Sequence, residues 1–180
     1  MQGQAEALGK RGRFNGAKTL QFGKLRRAGP HDEVESMKVR SLGHVVIKVR
    51  DQKRAEAFYN GVLGIPIAAR YPQMSATFFT LGNHHDFAVV AIGDDAEDPP
   101  AKSAGLLHVA FKIGDSIEEL REAKAKLEAS GLRVESYDHA VSKSLYLNDP
   151  DGNCVELYVD ITDAWKQNPQ LVAHSEPLGI

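Results

Sequence analysis

Two histidines and one glutamate are the residues of this chain whose types and placement point to chemistry. Gly43-His44-Val45-Val46-Ile47-Lys48-Val49-Arg50-Asp51 recurs in the second half as Leu107-His108-Val109-Ala110-Phe111-Lys112-Ile113-Gly114-Asp115, with His, Lys and Asp at the same offsets. Glu156 sits inside the apolar run from Asn153 to Val159, where a buried carboxylate needs a cation, a hydrogen-bond set or a proton. A lone strand histidine is more often a core residue, and an isolated strand glutamate more often faces solvent. Two histidines at repeat-equivalent positions, with a glutamate on the same inner surface, instead make the ligand set of a facial-triad metal site. Imidazole suits iron(II), manganese or zinc, and the carboxylate shifts the preference towards the harder ions.

The elements that must position these residues follow from periodicity. In the first copy Val45, Ile47 and Val49 form an apolar strand face while His44, Val46 and Lys48 form the other; in the second, Val109, Phe111 and Ile113 oppose His108, Ala110 and Lys112. Asp51 and Asp115 are placed to N-cap helices. The sets Ala55, Phe58, Tyr59, Val62, Leu63 and Ile117, Leu120, Ala123, Leu127 have helical spacing, and Gly64 and Gly131 end them. Strands are predicted over 65–71, 75–81 and 87–92, and again over 132–137, 143–147 and 154–159. The predicted fold is therefore α+β, with βαβββ modules at 41–92 and 105–160 joined by an acidic linker over 93–104. Both modules lie in one domain over 40–163, forming a partly open, barrel-like cleft lined by the strand faces that carry His44 and His108. Aligning the last strands of the modules puts Val89 opposite Glu156, so no fourth protein ligand is expected.

The chain has 180 residues, 42% hydrophobic and 26% charged, with a net charge of −2. Its one cysteine, Cys154, rules out an intrachain disulfide and any zinc site built from several thiolates. No apolar stretch approaches the ~18 to 20 residues that cross a bilayer, and no secretory signal is evident, so no membrane partner and a cytoplasmic location are expected. The neutral total averages an acidic body with a basic extension over 1–39, where seven Lys or Arg up to Arg27 face Glu6 alone. Its interspersed glycines break any helix, and it is expected to be a disordered leader without a nucleic-acid partner. Asp163-Ala164-Trp165, leading into a tail over 164–180, is expected to cap the cleft or a dimer edge.

Leu42-Gly43-His44-Val45-Val46, Ala57-Phe58-Tyr59 with Val62-Leu63-Gly64, Leu107-His108-Val109-Ala110-Phe111, and the run from Leu145 through Asn148-Asp149-Pro150-Asp151-Gly152-Asn153 to Tyr158 together resemble the vicinal oxygen chelate superfamily. That group holds glyoxalase I, fosfomycin-resistance proteins, bleomycin-binding proteins and type I extradiol dioxygenases. The resemblance spans residues 41 to about 163 and is strongest to the catechol 2,3-dioxygenase type. It implies iron(II), with manganese(II) as the alternative, held by His44, His108 and Glu156. It further implies that His85, beside His84, is the acid and base, and that His139 and Tyr146 hydrogen-bond the oxygens of the substrate. The partners implied are a small aromatic diol, oxygen and a second copy of the chain. Glyoxalase-like lyase or isomerase chemistry relies on a fourth ligand where Val89 is expected, and fosfomycin-type transferases use two His and one Glu with manganese. A metal-free binding protein of this fold would generally lack the triad.

Overall fold

Alternation along the first strand separates a buried face from an open one. In the computed structural model, which describes residues 38–100 and 102–180, β1 (Val45–Val49) buries Ile47 and Val49 and leaves Val46 50% exposed. Residues 1–37 of the basic extension lie outside the described residues. After β1, the Asp51 carboxylate accepts the Arg54 N–H at 2.7 Å and caps α1 (Gln52–Glu56), as expected. The helix continues as a wider turn over Ala57–Val62, closed by the Leu63 N–H on the Phe58 carbonyl at 2.9 Å. This i to i−5 widening turns Phe58 and Tyr59 together into the core. Gly64, at φ +73°, then reverses the chain where a side chain would be strained.

Three strands follow, β2 (Ile67–Tyr71), β3 (Ala76–Phe79) and β4 (Phe87–Ala91), giving a sheet ordered β1-β4-β3-β2 with β1 and β4 parallel. The second module repeats the plan: β5 (Val109–Gly114), α2 (Ile117–Ala129), β6 (Glu135–Asp138), β7 (Ser142–Asn148) and β8 (Cys154–Asp160). Its sheet is ordered β5-β8-β7-β6, and a short β9 (Glu176–Pro177) adds to the β6 edge. Neither sheet closes on itself, and the α+β class and the doubled βαβββ plan are those the sequence predicts.

Two local expectations are corrected. The cap of α2 is Ser116 rather than Asp115: its hydroxyl accepts the Glu119 N–H, while the Glu119 carboxylate takes the Ser116 N–H at 3.0 Å. Two donors are satisfied by that reciprocal box, and Asp115 is released to pair with Lys112 at 2.5 Å. The residue equivalent to Glu156 is Ala88, not Val89. Val46 lies opposite Ala88 in the first sheet just as Ala110 lies opposite Glu156 in the second. Val89 is one position along and therefore points into the core. Since alanine carries no ligating atom, the expectation of no fourth protein ligand at this place is unaffected.

Leu42–Ile180 form one compact unit. The helix-covered faces of the two sheets share a core in which Tyr59, Phe79, Phe87, Leu120 and Leu145 are fully buried, each worth roughly 1.5–3 kcal/mol in area removed from water. Phe87 of β4 meets Phe111 of β5 edge to face, with ring centroids 5.4 Å apart. The turn between β7 and β8 pins the modules together: Tyr59 donates its hydroxyl to Asp149 Oδ2 at 2.9 Å, and Arg54 reaches Asp151 at 2.6 Å. Asp149 Oδ1 also takes the Asp151 and Asn153 N–H groups, so one buried carboxylate shapes the turn and anchors α1. With the helix faces spent on this shared core, Val46, Lys48, Ala110 and Lys112 on the opposite faces stay exposed.

The tail opens on Asp163-Ala164-Trp165. Trp165 sits in a short turn, Ala164–Lys166, and is 42% exposed. The chain then returns along β6, where Leu178 and Ile180 pack against the core. Among the described residues no helix is long and apolar enough to cross a membrane.

Candidate metal centre

Glu156 lies in the middle of β8 with its side chain buried on the face away from α2. Its Oε1 accepts the Ser144 hydroxyl at 2.6 Å. Its Oε2 faces His108 Nε2 at 3.0 Å, close enough to share one proton or one cation. The strands enforce this meeting, because Ala110 is opposite Glu156 in the parallel pair and puts His108 two residues back on the same face. Ser144, itself fully buried, was missed in the sequence. Its signal was its alternation with Tyr146, which puts both on the Glu156 face of β7.

Tyr146 stands directly across from Glu156 in the antiparallel pair. Burial, and then the neighbouring Glu156 charge, push its phenol well above the usual tyrosine range, so it stays protonated. The hydroxyl lies 3.0 Å from His139 Nε2, and His139 Nδ1 lies 2.9 Å from the His174 carbonyl. A carbonyl can only accept, so Nδ1 carries a hydrogen; in the neutral ring Nε2 then accepts and Tyr146 donates. The tail thereby fixes the tautomer of His139, a contact no sequence pattern announces.

His44, just before β1, lies elsewhere. It is exposed and packs on His85, with ring centroids 4.2 Å apart, and His84 completes the group from the same turn between β3 and β4. Among the described residues His44, His84 and His85 form the single set of three metal-ligating side chains whose donor atoms all lie within 4.8 Å of one another. His108 and Glu156 are thus brought together, as are Tyr146 and His139, and His44 with His85; one chain does not gather His44 with His108 and Glu156. The physical reason is the shared core, which joins the modules through their helix faces and leaves the histidine faces open. His85 has its pKa lowered by desolvation and then by the adjoining His44 and His84, which favours its neutral form.

The donor set suits a divalent cation. With Oε1 held by Ser144, Glu156 Oε2 and His108 Nε2 converge on one point, a hard oxygen beside an imidazole nitrogen, as iron(II) and manganese(II) prefer. Ser144→Ala is expected to remove a charge-assisted hydrogen bond from a buried carboxylate. The loss should be about 1.5–3 kcal/mol in urea unfolding, with weaker metal binding in a chelator competition. Unchanged stability together with unchanged metal affinity would show that Ser144 does not hold Glu156.

The chain thus combines paired βαβββ modules with a His–Glu pair on the open face of the second. Residues 41–157 match the model of the Glyoxalase/Bleomycin resistance protein/Dioxygenase superfamily, and the chain belongs to that family. It is 32% identical over 120 residues to the catechol-2,3-dioxygenase of Bacillus subtilis, covering 66% of this chain but 41% of that protein. Thus the chain spans well under half the length of that relative. It is 27% identical over 122 residues to the glutathione transferase FosA of Serratia marcescens, covering 67% of this chain and 82% of the relative. A solved lactoylglutathione lyase from Agrobacterium tumefaciens superposes with a TM-score of 0.51 at 26% identity, over 68% of this chain and 96% of that one.

Proposed function

We propose that this protein is an iron(II)-dependent extradiol dioxygenase that opens the ring of a catechol-type aromatic, working as a homodimer. The observation that carries the reading is the juxtaposition of the His108–Glu156 pair with a hydrogen-bonded Tyr146–His139 pair on one open face. A metal site alone would serve several chemistries of this superfamily. A phenol and an imidazole of defined tautomer beside it suit a substrate with two adjacent hydroxyls.

His108 and Glu156 would hold the metal from one chain, and His44 of a second copy would complete the set, since His44 lies outside it in a single chain. Iron(II) bound there supplies Lewis acidity towards both diol oxygens and an electron path to oxygen. With its hydrogen donated to a neutral His139, Tyr146 would keep oxygen lone pairs to accept a hydrogen bond from a diol hydroxyl. His85, arriving with His44 and kept neutral by its surroundings, takes the proton released by the diol and returns it to the reacting oxygen. Positioning by Tyr146 and His139 makes the encounter of diol and oxygen effectively intramolecular.

Glyoxalase-type chemistry, for which the relevant fourth ligand is missing, fits less well: Ala88 occupies the place equivalent to Glu156. A transferase of the FosA kind remains the rival to be separated by experiment. Anaerobic loading with iron(II), followed by oxygen and a panel of catechols, should consume oxygen and give the yellow ring-fission product. Silence across the panel, with metal still bound and with thiol addition to an epoxide detected under manganese, would replace the dioxygenase reading with the transferase one.

A further inference from the structure

The turn between β3 and β4 puts His84 and His85 against His44, which stands at the mouth of β1. Their ligating atoms fall within 4.8 Å of one another on a single chain. No carboxylate belongs to this group. The nearest along the chain, Asp86, is occupied within the turn, where its Oδ2 accepts the Leu81 N–H at 2.7 Å and the Asn83 N–H at 3.3 Å. The Asp86 charge acts on His85 less than desolvation and the two neighbouring rings do, so the three crowded imidazoles repel when protonated and are stable as neutral donors or around a cation.

The individual rings are arranged for ligation. Asn83 Oδ1 takes the His84 backbone N–H at 2.9 Å, which identifies it as the oxygen, and it lies 3.2 Å from His84 Nδ1. In the neutral ring Nδ1 therefore carries the hydrogen and Nε2 keeps its lone pair, the arrangement in which histidine binds metal through one nitrogen while the other is held by an outer partner. Phe78 braces the His85 ring edge to face, with centroids 5.2 Å apart. Three neutral imidazoles with no oxygen ligand favour a borderline-soft ion, in a tetrahedral site completed by water.

We propose that His44, His84 and His85 form a divalent-cation site within one chain, suited to zinc(II) and distinct from the His108–Glu156 pair. It goes beyond the ring-cleavage reading and does not depend on it. Because His44 also belongs to the proposed iron set, zinc bound here withdraws that histidine and competes with iron for it.

The test is titration of the metal-stripped full chain with zinc sulfate against a chromogenic chelator, with cobalt(II) as a spectroscopic stand-in. The expected result is one tight zinc per chain and a visible cobalt band typical of tetrahedral nitrogen ligation. Affinity should survive Glu156→Gln and fall at least about tenfold in His84→Ala, by analogy with the loss on removing even an outer partner of a ligand. His84 is an exposed turn residue, and His84→Gln, which keeps the turn polar, is expected to lose zinc equally. Zinc binding that persists in both His84 variants, or that disappears in Glu156→Gln, overturns the proposal by putting the ion in the mixed His–Glu set. Absence of zinc binding by the unaltered chain overturns it outright. These outcomes are read on zinc and cobalt alone, whereas ring cleavage is read on the iron-loaded protein without zinc, so the two readings fail separately.

Discussion

Mixing His44→Ala chains with Glu156→Ala chains is expected to restore ring cleavage that neither variant shows alone. The expectation follows from the separation of His44 from the His108–Glu156 pair within a chain. If each site takes His44 from one copy and His108 with Glu156 from the other, a mixed dimer holds one site with every ligand intact and one with two ligands missing. After unfolding and joint refolding about half of the dimers are mixed, so recovery should approach about a quarter of the unaltered activity. A site built within one chain recovers nothing, because every chain in the mixture lacks a ligand. Bound iron gives a second readout that does not depend on turnover and should recover in the same proportion. Val46, which shares the His44 face of β1 by alternation, is 50% exposed and free to meet a second copy. Mixed dimers detected by mass, without recovered iron or activity, would remove the shared site.

His108→Ala and His85→Ala are expected to fail in different ways. His108 faces Glu156 Oε2 at 3.0 Å, and its loss leaves one protein ligand from that chain, so iron should be absent after reconstitution and desalting. Turnover then disappears because there is no metal to hold the diol. His85 lies in the turn between β3 and β4 of the first module and is proposed to move a proton. His85→Ala should keep its iron while kcat falls about 10²- to 10⁴-fold, the range for loss of a positioned acid or base. Iron content measured beside kcat separates the two. Should His85→Ala lose iron as completely as His108→Ala, His85 would be a ligand and the proton would need another carrier.

The outline of the fold was legible because alternation and helical spacing are local properties. Val45, Ile47 and Val49 against His44, Val46 and Lys48 defined two faces, and the repeat carried the same distinction to β5. His108 with Glu156 was legible for a related reason: both fall on the face that no helix covers. What failed were matters of offset. Val89 and Ala88 are neighbours in an apolar run, and comparing strings cannot choose between them, whereas the ladder from Val46 to Ala88 can. Asp115 and Ser116 are both good caps, and the choice was made by Glu119 reaching back.

By itself, then, the sequence determined the α+β class and the two βαβββ copies and offered candidate residues for chemistry, because these depend on side-chain type and short-range period. Only the tertiary structure decided how those residues are grouped. The shared core of Phe87, Phe111 and their neighbours joins the modules by their helix faces, leaving His44 with His84 and His85 while Glu156 keeps His108 and Ser144. It also decided that the returning tail fixes the tautomer of His139 through the His174 carbonyl. Such groupings depend on which surfaces are buried against each other across the chain, and local periodicity does not encode that.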